Sequence, residues 1–192
     1  MFFYDILNVM FKYEERKFNI PELKGISKKS IEEHLKLYAG YVKNINDALE
    51  GKQDIRRIGF EFNGMRNHEF YFRSLEGGST TLTTSGPLQK AIVEEFGSWD
   101  AWLSTFKSIA ITRGVGWAML YYDPIMKKLI NTWVDEQHLG QLNSCQLILG
   151  LDMWEHAFVY DYQSSGKKQY IGDFFANLNW EVIEENYKNA SK

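Results

Sequence analysis

Gln146-Leu147-Ile148-Leu149-Gly150-Leu151-Asp152-Met153-Trp154-Glu155-His156-Ala157 is the stretch on which the reading of this chain turns. Five of its first six residues are apolar or glycine, the pattern of a strand buried on both faces. Such a strand ending on Asp152, with His156 four residues on, aims an oxygen and a nitrogen ligand at one point. Burying either group unpaired costs several kcal/mol, so a metal or a partner charge is required. A buried ion pair answers that requirement as well as a metal does, and this stretch alone leaves both readings open.

Working outward, the rest of the chain divides into periodic segments. Phe2, Phe3, Ile6, Leu7, Met10 and Phe11 have the spacing of a short amphipathic helix over residues 1 to about 18. Pro21 and Gly25 mark a loop, and Ser27 or Ser30 is placed to cap a helix from about Lys28 to Leu49. Ile31, Leu35, Tyr38, Val42 and Ile45 form its apolar stripe, with His34, Tyr38 and Tyr41 on one face. After a short turn at Glu50-Gly51-Lys52-Gln53, a second helix from about Asp54 to Leu75 carries Phe62, Met65, His68 and Phe72. So short a turn predicts an antiparallel hairpin. From Glu76 to Pro87 the composition shifts to Gly, Ser and Thr, the one credible linker. Beyond it come helices over Leu88 to Phe96 and Trp99 to Ile111, then strands from Gly114 to Tyr122 and from Lys128 to Val134. The quoted run is the third strand, and helices over Tyr170 to Leu178 and Trp180 to Tyr187 close the chain. The expected class is α+β: an N-terminal helical hairpin lobe (1-76), then a lobe (87-192) with a three-stranded antiparallel sheet and covering helices. The site falls between the two.

Composition narrows the function. The chain has 192 residues, 44% of them hydrophobic and 16% aromatic, which suits a globular protein with a substantial core. A net charge of −3 lacks the basic face expected of a nucleic-acid partner. The single cysteine, Cys145, excludes an internal disulfide and fits a reducing compartment. The opening Met1-Phe2-Phe3-Tyr4 lacks a basic region and a small-residue cleavage site, unlike a signal peptide. No apolar run approaches the roughly eighteen residues of a membrane span. A cytoplasmic protein is expected.

Four histidines are present: His34, His68, His138 and His156. Two lie on apolar stripes that face each other across the predicted hairpin. A lone histidine on such a face is usually a satisfied core residue, but two facing a carboxylate motif favour a shared site. A mixed nitrogen and oxygen set suits manganese or iron. Thiolates and an H-E-x-x-H motif, which would point to zinc, are missing.

The motif Asp152 to Ala157 resembles the D-x-W-E-H-A run of the iron/manganese superoxide dismutases. Phe62-Asn63-Gly64-Met65-Arg66-Asn67-His68-Glu69-Phe70-Tyr71 looks like the family's ligand segment on its second helix. Gly114-Val115-Gly116-Trp117 resembles its G-S-G-W strand, and Phe174-Phe175-Ala176-Asn177-Leu178-Asn179-Trp180 its closing element. The resemblance implies that His34, His68, Asp152 and His156 bind one manganese or iron ion, with solvent as fifth ligand, and that the substrate is superoxide. It implies a homodimer in which Glu155 reaches the partner subunit's His156. It also implies that Trp117 and Trp154 wall the site.

Three departures accompany the resemblance. His34 to Tyr41 is one residue shorter than the family's interval, so a gapless alignment puts Glu33 at the ligand position; His34 is preferred, with a local helix bulge absorbing the difference. Tyr38 stands where the family carries a histidine one turn after its first ligand, and Val159 stands where it carries a tyrosine, so the gateway to the metal is rebuilt. Counting back from Asp152 puts Gln137 at the sheet-side position that tunes the metal-bound solvent, opposite Gly64. His138 and Gln141 are alternatives for that role. Gln137, Gly64 and Gly150 together match manganese members, and Tyr41 with Gln137 would supply the hydrogen-bond chain. Lys36, Lys43, Arg66 and Lys167-Lys168 are candidates for steering a small anion. Two other classes remain: a non-catalytic relative that keeps the fold as a metal-holding or dimeric interaction module, and a mononuclear non-haem iron oxygenase. The third histidine counts against the oxygenase.

Overall fold

Ser27 begins the first long helix. Its hydroxyl accepts the backbone N–H of Ser30 at 3.1 Å, and α1 (Lys28–Leu49) follows without a break. The structure, a computed structural model, describes residues 12–192. The amphipathic helix expected at the start of the chain therefore lies largely outside the described residues, and its described end, 12–18, is not helical. That end is instead a strap: Tyr13 exchanges hydrogen bonds with Asn46 on α1, at 2.9 Å in each direction.

A single 3-10 turn (Ile55–Arg57), capped by Asp54, leads into α2 (Ile58–Leu75). The helices run antiparallel, since His34 meets His68 and Phe72, Tyr41 lies on Gly64, and Asn44 donates to Glu61. The bulge expected in α1 is absent, because the helix is α throughout. None is needed: positions i, i+4 and i+7 already share a face at 3.6 residues per turn.

The segment rich in Gly, Ser and Thr is irregular, and it is pinned at several points. Gly77 N–H donates to Asn19 O at 3.0 Å, Thr80 N–H donates to Leu178 O at 3.1 Å, and Asn179 Nδ2 donates to Glu76 O at 2.8 Å. Helices α3 (Pro87–Phe96) and α4 (Trp99–Ala110) follow, with Gly97 at φ +83° separating them. Three antiparallel strands come next: β1 (Gly116–Asp123), β2 (Lys128–Asp135) and β3 (Gln146–Asp152), in the order β2-β1-β3. The central strand β1 is buried along all but its last residue, as the apolar run Trp117-Ala118-Met119-Leu120 requires. Its Trp117 is paired with Asp152, so the indole sits beside the carboxylate at the end of β3.

Helix α5 (Glu155–Tyr162), unanticipated from the sequence, starts three residues beyond Asp152. It is short and its apolar residues show little periodicity, although Asp152 Oδ1 accepts the Trp154 backbone N–H at 2.8 Å and turns the chain into it. Helices α6 (Lys167–Asn177) and α7 (Trp180–Ala190) complete the fold. The candidate site lies where α1, α2, the end of β3 and the start of α5 meet.

Candidate metal centre

Asp152 is fully buried, and three imidazoles surround one of its oxygens. His34 Nε2 and His156 Nε2 each lie 3.1 Å from Oδ2, and His68 Nε2 lies 3.6 Å away. One ligand atom from each of the four residues falls within 4.8 Å of the others, the only such group of three or more among the described residues. Three elements deliver them. The stripe of α1 brings His34, the facing stripe of α2 brings His68, and the strand-to-helix turn brings Asp152 and His156 together.

The hydrogen-bond pattern decides what this group needs. His68 Nδ1 donates to the Gly64 carbonyl at 2.6 Å, and a carbonyl can only accept, so the ring's hydrogen is on Nδ1. Nε2 is then a bare lone pair, buried and without a partner, pointed towards an anionic carboxylate. Burial, then the neighbouring His34, hold the His68 imidazole down at about 3, so a proton does not fill the gap near neutral pH. Burial by itself would push Asp152 up, but the His156 and His34 imidazoles hold it well below the usual carboxylate range. A buried carboxylate ringed by imidazoles, one of which turns an unfilled lone pair towards it, is a site that could hold a metal cation. The donor set of three imidazole nitrogens and one carboxylate oxygen fits one manganese or iron ion.

Glu33, the competing ligand, faces away from this group. Its carboxylate takes hydrogen bonds from Lys29 at 2.5 Å and Lys36 at 2.9 Å, which hold it down at about 2. Gln137 is wholly buried beside the site. Trp117 Nε1, which can only donate, reaches Gln137 Oε1 at 3.0 Å and so fixes which way the amide faces. Gln137 Nε2 is thereby turned to the Tyr41 hydroxyl, to which it donates at 3.0 Å. The alternatives point elsewhere: the His138 ring packs edge-on against Phe60, and Gln141 bonds to Asn67 and to the Gln137 backbone.

The family described as iron/manganese superoxide dismutases, C-terminal domain, matches residues 84–186. A protein named superoxide dismutase [Mn] from Mycolicibacterium fortuitum is 31% identical over 172 residues, covering 82% of each chain. The chain belongs to the iron/manganese superoxide dismutase family. A superoxide dismutase [Mn] 2 from Haloferax volcanii is 32% identical over 169 residues, 80% of this chain and 82% of the relative. One from Haloarcula marismortui is 39% identical over 105 residues, 55% of this chain, and there the match spans about half the relative's length, 51%.

Around the site, this member of the superoxide dismutase family has its own features. Tyr38 stays in the hairpin, where its hydroxyl accepts from the Arg16 backbone at 2.9 Å and donates to Glu69 at 3.2 Å. It thus anchors the strap, and Val159, half-buried on α5, offers no hydrogen bond in the tyrosine's place. Trp154 stacks on His156, with ring centroids 5.7 Å apart, and its indole donates to Glu136 O at 3.1 Å. Glu155 is exposed. A Cβ on Gly150 would meet only ordinary contacts, at 3.7 Å from Leu147 and 3.8 Å from Trp117. Among the candidate steering cations, Lys36, Lys43 and Arg66 are each paired with a carboxylate, to Glu33, Asp47 and Glu69. Lys167 lies over the Phe158 ring, and Lys168 is exposed. Two residues near the group were given no role at the site from the sequence. Tyr71 has its ring 5.0 Å from that of His34, and Asn67 donates to Gln137 O at 3.0 Å. The signal for Asn67 was there: an asparagine flanking a buried histidine on a helix must find partners.

Proposed function

We propose that the protein is a superoxide dismutase, converting superoxide to hydrogen peroxide and dioxygen at one mononuclear ion held by His34, His68, Asp152 and His156. The observation that carries this reading is the buried, unpartnered lone pair of His68 Nε2 facing Asp152. A bound manganese or iron ion would alternately accept and donate one electron, as the two halves of the reaction require. The chain supplies the setting. Burial, then Asp152 and Glu61, push the Tyr41 phenol above its ordinary range, so it keeps its hydrogen at neutral pH. Tyr41 accepts from Gln137 and has its own O–H left to offer the substrate. With Tyr38 turned to Glu69 and valine at 159, proton supply falls to the Tyr41–Gln137 pair. Trp117 and Trp154 exclude water and larger molecules.

Manganese is the favoured metal. Gln137 comes from the sheet side opposite Gly64, and such an amide lowers the potential, which the intrinsically high-potential manganese couple needs and iron does not. A homodimer is part of the same reading. Leu37 and Tyr160, 42% and 60% exposed, flank Glu155, His156 and Val159 on one surface, where a second copy would bring Glu155 to the opposite His156. The segment from 76 to 87 is read as the boundary of two lobes with the site between them. A cytoplasmic location is read from the single cysteine; among the described residues no helix is long and apolar enough to cross a membrane.

The test is metal analysis of purified protein alongside superoxide turnover by manganese- and iron-loaded samples. Near-stoichiometric metal with turnover is expected, higher with manganese. Metal without turnover would favour the second reading, a metal-holding relative, which the altered Tyr38 and Val159 positions support. Absence of metal would refute both.

A further inference from the structure

Gln137 sits in a loop that is closed on itself. Asp135 N–H donates to Leu139 O at 2.8 Å, and Leu139 N–H donates back to Asp135 O at 3.1 Å. Glu136 takes φ +50° and donates its N–H to Val115 O at 3.1 Å. These bonds close the loop at Asp135, Glu136 and Leu139, and none of them engages Gln137 itself. Its carbonyl is held from two further directions, by Asn67 Nδ2 at 3.0 Å and by Gln141 Nε2 at 3.2 Å. Gln141 Nε2 also donates to Asn67 Oδ1 at 3.2 Å, and Gln141 Oε1 accepts the hydroxyl of Tyr121. Tyr121 is almost fully buried on β1, on the same strand face as Trp117 by alternation. Burial pushes its phenol up, so the O–H remains a donor.

These bonds form one brace. Tyr121 orients Gln141, Gln141 and Asn67 grip the Gln137 backbone, and Asn67 lies next to His68 on α2. The brace therefore ties the loop to the helix turn that carries one of the four site histidines. We propose that Tyr121 and Gln141 are positioning residues which fix the approach of the Gln137 amide to the metal and to Tyr41. The proposal rests on the reading of the site given above. Gln137 is already oriented by Trp117 at its far end, so a loosened carbonyl moves the amide along the direction that changes its hydrogen bonds into the site. A partner of this kind acts on the metal's environment without supplying a ligand.

The experiment uses manganese-loaded full chain, wild type beside Tyr121→Phe and Gln141→Leu. Metal content, the visible absorption of the oxidised form, azide affinity by titration and melting temperature are measured on each. Both variants should keep wild-type metal content. Gln141→Leu should shift the absorption band and change the azide dissociation constant by about threefold to tenfold, with a smaller change of the same sign in Tyr121→Phe. Unchanged band and azide affinity, with or without a lower melting temperature, would reduce the brace to a structural role and overturn the proposal. Loss of metal from either variant would also overturn it, because a brace removed from the ligands leaves them in place. A wild type that takes up no manganese sinks the reading of the site and this inference with it.

Discussion

Gly64 joins the two halves of the site. Its carbonyl accepts His68 Nδ1–H at 2.6 Å, and the ring of Tyr41 rests on its bare Cα. A methyl placed there would lie 2.6 Å from Tyr41 Cε1 and 2.9 Å from Cγ, with Cδ1 nearer still, whereas ordinary contact starts at 3.4 Å. In Gly64→Ala the ring must therefore back away by roughly 1 Å, and the 3.0 Å bond from Gln137 Nε2 to its hydroxyl cannot absorb such a shift. Two stability effects oppose each other. Alanine in a helix interior gains about 1 kcal/mol over glycine, and overpacking costs about 1–3 kcal/mol, so the net change is about 0–2 kcal/mol destabilising, a few degrees in Tm. The effect on turnover is larger: loss of the Tyr41–Gln137 pair should cost roughly tenfold or more at unchanged metal content, since the Gly64 carbonyl still orients His68. Steady-state superoxide turnover, metal analysis and thermal melts check this, with Gly150→Ala as the control because its methyl meets only ordinary contacts. Wild-type turnover in Gly64→Ala would refute the reasoning. Loss of metal would show that the substitution acts through His68 instead.

His68→Ala and Asp152→Ala should each abolish metal binding, measured as metal per chain after purification; near-stoichiometric metal in both would sink the ligand assignment. His34→Ala should lose metal while Glu33→Ala keeps it, because the Glu33 carboxylate is occupied by Lys29 and Lys36; the reverse result would restore the gapless alignment. Glu155→Ala should weaken the dimer in sedimentation experiments, and a wild type that is monomeric at micromolar concentration would remove the basis for this. The metal-free chain should lose stability as pH falls from 7 to 4. His68 is held at about 3 when folded against 6.5 for a free imidazole, so in that window the unfolded chain binds a proton that the folded one refuses. The slope for that one group is about 1.4 kcal/mol per pH unit. Asp152 adds stability that is lost only at lower pH, as the pH falls through its depressed folded value. A melting temperature flat between pH 7 and 4 would contradict this account.

By itself the sequence determined the elements that repeat with a period. The apolar run into Asp152, the stripes bearing His34 and His68, and the apolar run of β1 are local patterns, because helix and strand geometry dictate which neighbours share a face. Those patterns placed two histidine-bearing helix faces against each other and a carboxylate at a strand end, while naming His34, His68, Asp152 and His156 as one metal's ligands came from the resemblance. The tertiary structure decided the rest. His34 was preferred over Glu33 from the sequence because it shares a face with Tyr38 and Tyr41, and the structure adds what one dimension does not carry: His34 is buried beside His68 and Asp152, whereas Glu33 is bonded to Lys29 and Lys36. Gln137 was placed ahead of His138 and Gln141 by counting back from Asp152, but its partners are set by segments distant in sequence: the indole of Trp117 orients its amide, Asn67 takes up Gln141, and His138 packs on Phe60. Tyr38 was legible as a stripe residue, but its partners, Glu69 on α2 and the Arg16 backbone in the strap at 12–18, are supplied by tertiary packing. Local sequence sets the direction in which a side chain leaves the backbone. Only packing between distant segments decides which donor or acceptor it meets there, and the chemistry of this site depends on that meeting.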